Sequence, residues 1–169
     1  VAWYSIDHGN SLSIPASRLG LKTNAFDYSQ LELTSFQNDE IVIDYELAKS
    51  KTSKVNHRAS TGTVRFSNPK GEKIEVEFIV SRNDVAFRYL IPKEGETGSV
   101  RVLEELTEFN FMDNHTNDRI STYLTPQSDA MIGWKRTKPS YEEFYGVGKP
   151  VNEKSQYGHG YTFPCLFKV

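Results

Sequence analysis

Lys73 to Phe111 reads KIEVEFIVSRNDVAFRYLIPKEGETGSVRVLEELTEFNF, and its spacing decides the fold class. Ile74, Val76, Phe78 and Val80 fall on one side of an extended chain, with Glu75 and Glu77 on the other. After Ser81-Arg82-Asn83-Asp84 the alternation resumes with Val85, Phe87, Tyr89 and Ile91. Apolar residues at a period of two mark a half-buried strand. Two such runs across a short Asn/Asp link predict an antiparallel hairpin. Pro92 ends the second strand, because proline has no N–H to give to the ladder. Beyond Gly95 and Gly98 the chain returns through Val100 and Val102, then Thr107, Phe109 and Phe111.

Outward from this hairpin the pattern repeats. Val1, Trp3 and Ser5 alternate with Ala2, Tyr4 and Ile6. Leu19 to Lys22, Leu31 to Phe36, Glu40 to Leu47 and Thr61 to Phe66 read as further strands, with Ile120 to Leu124 and Ala130 to Lys135 as short ones around Pro126. Asn38-Asp39 reads as a turn. Ala48 to Ser60 is polar, basic and aperiodic, so it reads as an exposed loop. Asn68-Pro69-Lys70-Gly71 is a strong turn signal. No sustained 3.6-residue stripe and no internal repeat stands out. Many short strands at intervals of about ten residues predict an all-β, two-sheet antiparallel sandwich in one domain over residues 1–169.

The bulk properties exclude more than they assign. At 169 residues the chain can bury a real core. A net charge of −2 and a pI near 6.1 supply no field for nucleic acid or an anionic membrane. No apolar run is long enough to span a bilayer as a helix. Cys165, the single cysteine, allows no internal disulfide and no zinc–thiolate cluster. Among Phe163, Leu166 and Phe167 it reads as a small buried hydrophobe. The strand patterns at Val1 and at Tyr161 to Val169, without caps or leader, carry the expectation of a piece of a longer protein.

No nucleophile elbow, phosphate loop, zinc-protease helix or dinucleotide glycine run is present. Glycoside hydrolysis needs two carboxyl groups across the scissile bond. Glu104, Glu105, Glu108, Glu142, Glu143 and Glu153 are the acidic candidates. In a strand, neighbours Glu104 and Glu105 point to opposite faces and cannot pair. His8, His57, His115 and His159 are the histidines. His159, in Tyr157-Gly158-His159-Gly160-Tyr161, is a candidate for a sugar site, since glycines admit a ligand to the backbone and tyrosines stack on sugar faces; the alternative is a loop packed against a neighbouring domain. Trp134, beside Lys135-Arg136, and Tyr141 are candidates to line a sugar cleft or an interdomain surface.

Asn83-Asp84-Val85-Ala86-Phe87-Arg88-Tyr89, with Glu108-Phe109-Asn110-Phe111 downstream, resembles a hallmark of the amino-terminal domain of glycoside hydrolase family 97. Pro15 to Leu21 (PASRLGL) is similar to that domain's early segment. The resemblance implies a sandwich like that of galactose mutarotase, packed on the chain's own carboxy-terminal (β/α)8 barrel that carries both catalytic carboxylates. It therefore implies no catalytic residue in this chain. It further implies a secreted or periplasmic bacterial α-glycosidase, an α-glucosidase or α-galactosidase, acting on α-linked oligosaccharides. Calcium is implied beside the barrel's carboxylates, with a glutamate from a late loop of this domain as one ligand. By order in the chain that residue is Glu153, with Glu142 and Glu143 as alternatives. Calcium wants six to eight oxygens, so one glutamate cannot make the site and the remaining ligands belong to the barrel. The loop over Ala48 to Ser60 lacks the aromatic and acidic residues usual in the family, so no role transfers to it. A free-standing carbohydrate-binding module and a purely structural interaction domain are the rival readings.

Overall fold

The computed structural model describes residues 1–9, 11–93, 99–111, 121–124 and 166–168. The chain divides into two units, Val1–Asn110 and Phe111–Val169. Ten strands are described and no helix: β1 (Ala2–His8), β2 (Ser11–Leu19), β3 (Leu21–Thr23), β4 (Glu32–Glu46), β5 (Lys54–Ser67), β6 (Lys73–Val80), β7 (Val85–Leu90), β8 (Val102–Glu105), β9 (Ser121–Leu124) and β10 (Leu166–Lys168). No helix among the described residues is long and apolar enough to cross a membrane. In the second unit β9 and β10 pair antiparallel.

The first unit is an all-β sandwich. One layer is an antiparallel sheet in the order β4-β5-β6-β7. The other is built from β1 with β2 and from β3 with β8, both antiparallel. Gly20 alone separates β2 from β3, and their pairings continue one another. Leu21 opposes Glu105, and the next amides along, Leu106 and Glu108, donate to the carbonyls of Gly20 and Arg18 at 2.9 Å each. The two pairs thus make one continuous layer. Pro15 lies within β2, beside the irregular pairing between Tyr4 and Ile6. A residue without an N–H is tolerated where the ladder is broken.

The core fills the space between these layers. Ala2 and Tyr4 from β1, Leu19 and Leu21, then Tyr28 and Leu31, meet Phe66, Ile74 and Val76 of the larger sheet. Burying each of the Leu, Ile, Val and Phe side chains among them contributes about 1.5–3 kcal/mol. The expected faces hold: Ile74 and Val76 are buried, while Glu75 and Glu77 lie on the other side, bridged to Arg65 (2.7 Å) and Arg88 (2.5 Å). Val76 pairs with Tyr89 and Phe78 with Phe87, so the antiparallel hairpin that the alternation predicts is formed. The turn over Asn68 to Gly71 forms as expected. Gly71 takes φ of 84°, and its amide donates to the Asn68 carbonyl. The buried Asn68 Oδ1 accepts the amides of Lys70 and Glu72.

Two expectations are corrected. Asn38-Asp39 is not a turn: Asn38 pairs with Gly62 and Asp39 with Thr61 inside β4, a strand of 15 residues. Nor is Ala48 to Ser60 all loop, because β5 begins at Lys54 and the connection is only Leu47 to Ser53. The reason is pairing. A long partner strand satisfies each polar residue's backbone, and local turn preference loses to the ladder.

Candidate functional site

The residues of the resemblance converge on one place. Phe87 and Tyr89 of β7 enter an aromatic cluster with Tyr4, Phe78 and Phe109. Tyr4 and Phe87 have ring centroids 5.4 Å apart, Phe78 and Phe87 5.5 Å, and Phe87 and Phe109 6.1 Å. Tilted and offset rings at such distances add to the area they bury. The hydroxyls of both tyrosines find partners far along the chain. Tyr4 donates to the carbonyl of Glu108 at 2.7 Å. Tyr89 accepts the Gly20 amide at 2.9 Å and meets Thr107 Oγ1 at 2.7 Å. Thr107 Oγ1 donates to Glu105. Tyr28 reaches the other way, donating to the Lys73 carbonyl. Asn110 closes the seam: its amide donates to Ser17 Oγ and its side chain to the Ala16 carbonyl. Burial holds both Tyr4 and Tyr89 hydroxyls above the usual phenol range, against the opposing pull of their hydrogen bonds.

This arrangement is a clasp between layers, with its polar atoms engaged by protein groups. It presents no pair of facing carboxylates. Glu104 is taken by Lys22 at 2.8 Å, and Glu105 by Thr107. The bridge to Glu104 is the first cause raising the Lys22 ammonium above its ordinary value. Glu108 enters through its backbone: its amide serves Arg18 and its carbonyl serves Tyr4. Among the described residues no group of three or more His, Cys, Asp or Glu is placed to hold a metal ion. His8 is exposed on β1, and His57 sits across from Ile43 in β5. Glu142, Glu143, Glu153, Trp134, Tyr141, His115, His159 and Cys165 lie outside the described residues. An open notch of about 470 Å³ lies where β6 ends beside the continuing β4–β5 pair, lined among others by Glu40, Val42, Arg58, Ser60 and Arg82. The sequence reading did not anticipate it, because Lys54 to Ser60 reads as loop.

The family model for the glycosyl-hydrolase 97 amino-terminal domain matches residues 1–169. This chain belongs to glycoside hydrolase family 97. Solved structures agree with the assignment. The family 97 domain is 48% identical to a β-arabinopyranosidase at a TM-score of 0.76, over 94% of this chain and 24% of that one. It is 26% identical to a glycoside hydrolase family 97 enzyme from Pseudoalteromonas sp. strain K8, solved with panose (TM-score 0.73) and with acarbose (TM-score 0.72). There the match covers 98% of this chain and 23% of the other. The domain thus spans about a quarter of these relatives. No curated protein matches it.

Proposed function

We propose that this chain is the non-catalytic amino-terminal sandwich of a pyranoside-cleaving glycosidase of family 97. Its work is to pack on the enzyme's own carboxy-terminal barrel, to shape the mouth of the sugar pocket through Trp134, Tyr141 and His159, and to lend Glu153 to a calcium ion. The observation that carries this reading is a structural match over 94% of this chain that reaches only 24% of a related enzyme. The described carboxylates support a non-catalytic role, since Glu104 and Glu105 are engaged by Lys22 and Thr107. A lone glutamate leaves most of calcium's oxygen shell to other residues, so the ion belongs to the assembled enzyme. Export to the periplasm or medium fits a polysaccharide-degrading enzyme of this kind.

The 48% relative favours one substrate class. A β-L-arabinopyranoside has the ring stereochemistry of an α-D-galactoside without its hydroxymethyl group. The parent enzyme is therefore expected to cleave these two sugars ahead of α-glucosides. Nitrophenyl glycosides of the three, given to the full-length enzyme and to residues 1–169 alone, test the reading. Hydrolysis by the full-length enzyme only, weakened by chelation and less calcium-dependent in Glu153→Gln, is the expected result. Turnover by residues 1–169 alone would overturn it, and unchanged calcium dependence in Glu153→Gln would remove the metal role.

A further inference from the structure

The larger sheet changes character along its length. β6 ends at Val80, opposite Ser60. Beyond that pair β4 and β5 continue as a two-stranded ribbon, from Ile41 opposite Ala59 to Glu46 opposite Lys54. On the near half of the pair, Phe36 and Val64 share the face that carries Phe66 into the core. On the ribbon most of the apolar side chains have moved to the opposite face. Ile41 pairs with Ala59, Ile43 with His57 and Tyr45 with Val55. The face shared with Phe36 becomes mostly polar there, with Asp44 opposite Asn56 and Glu46 opposite Lys54; the exposed Val42, opposite Arg58, is the exception. The shift is in the sequence, since Phe36 and Ile41 are five apart and alternation preserves a face only at even spacing.

The polar face is self-sufficient, with Asn56 donating to Asp44 at 2.5 Å and Lys54 bridging Glu46 at 3.4 Å. The apolar face is open towards its far end, where Ile43 is 40% and Tyr45 48% exposed, while Ile41 is half-buried and Ala59 buried beside the main sheet. A two-stranded ribbon alone is marginal in water, and a contiguous apolar strip marks a contact surface.

We propose that the Ile41–Ile43–Tyr45 face of this ribbon is the seat for the part of the parent glycosidase that follows Val169. This rests on the reading of the chain as an amino-terminal domain. The occupant follows from size and from what the sandwich leaves unused. In the related enzymes the greater part of the chain lies outside the matched quarter. The ribbon face is turned away from the domain's own core, while its reverse carries the charges.

The test places a photo-reactive group on the ribbon of the full-length enzyme. Tyr45→p-benzoylphenylalanine, irradiated and digested, is expected to yield a cross-link to a peptide downstream of Val169 within one chain. Capture of a peptide from residues 111–169, of a second copy as a cross-linked dimer, or of nothing but solvent would each overturn the proposal. Protease release of the amino-terminal domain separates this failure from that of the functional reading. If hydrolysis survives release unchanged, the packing role itself is wrong. If hydrolysis is lost while Tyr45 captures nothing downstream, the seat alone is wrong.

Discussion

The β6–β7 hairpin and the β4–β5 ribbon belong to one sheet and follow one alternating rule, yet they meet opposite fates. In the hairpin the apolar positions stay in phase with the facing layer, so Ile74 and Val76 are buried and the tyrosines anchor across the gap. In the ribbon the phase slips between Phe36 and Ile41, and most of the apolar side chains emerge on the reverse face. Period alone predicts a strand. Phase relative to the core predicts whether that strand holds the domain together or offers itself to something else.

Matched substitutions sharpen this contrast in residues 1–169. Ile74→Ala empties a site that is 1% exposed and is expected to cost about 2–5 kcal/mol in denaturant unfolding. Gly20→Ala comes next. A methyl there would stand 2.9 Å from the Tyr28 carbonyl oxygen at a φ of 157°. Backbone must move to admit it, at about 1–3 kcal/mol. Removing Arg65 and Glu75 together tests a half-exposed bridge, whose coupling should be about 0.2–1 kcal/mol and should shrink in salt. Ile43→Ala deletes the same atoms as Ile74→Ala but should fall within about 0.5 kcal/mol of the parent. Equal costs for the two isoleucines would break the comparison.

The clasp makes a pH prediction of definite sign. Burial raises Tyr4 and Tyr89 above the usual phenol value, so the unfolded chain releases these protons first. The stability they contribute is complete below pH of about 10 and is lost as pH rises through their folded values. Alkaline unfolding should therefore be less steep in Tyr4→Phe and Tyr89→Phe, read by circular dichroism against pH. An unchanged slope in both variants would show that neither phenol is held neutral by the fold.

Much of the fold was legible in the sequence because its signals were redundant. The β6–β7 hairpin carries alternation on both arms and an Asn/Asp link, and the Asn68–Gly71 turn has both proline and a left-handed glycine. β5 carried neither: Val55, His57 and Ala59 alternate with Asn56 and Arg58, but His57 masks the apolar face and the basic residues resemble a loop. Asn38-Asp39 has turn-forming side chains but sits opposite Gly62 and Thr61, where pairing prevails. For the site, Glu104 and Glu105 are neighbours in β8, where one meets Lys22 and the other Thr107. The tyrosine hydrogen bonds across the layers were not legible, because no local pattern tells which distant backbone group a hydroxyl will reach. Glu153, Trp134, Tyr141 and His159 stand as proposals outside the described residues.

Native-state amide hydrogen exchange on residues 1–169 tests the division between clasped sandwich and uncovered ribbon most directly. The predicted result is that Ile74 to Val80 exchange only through global unfolding, while the Ile41–Glu46 and Lys54–Ala59 amides open at a clearly lower free energy. Uniform protection across both regions would contradict the account.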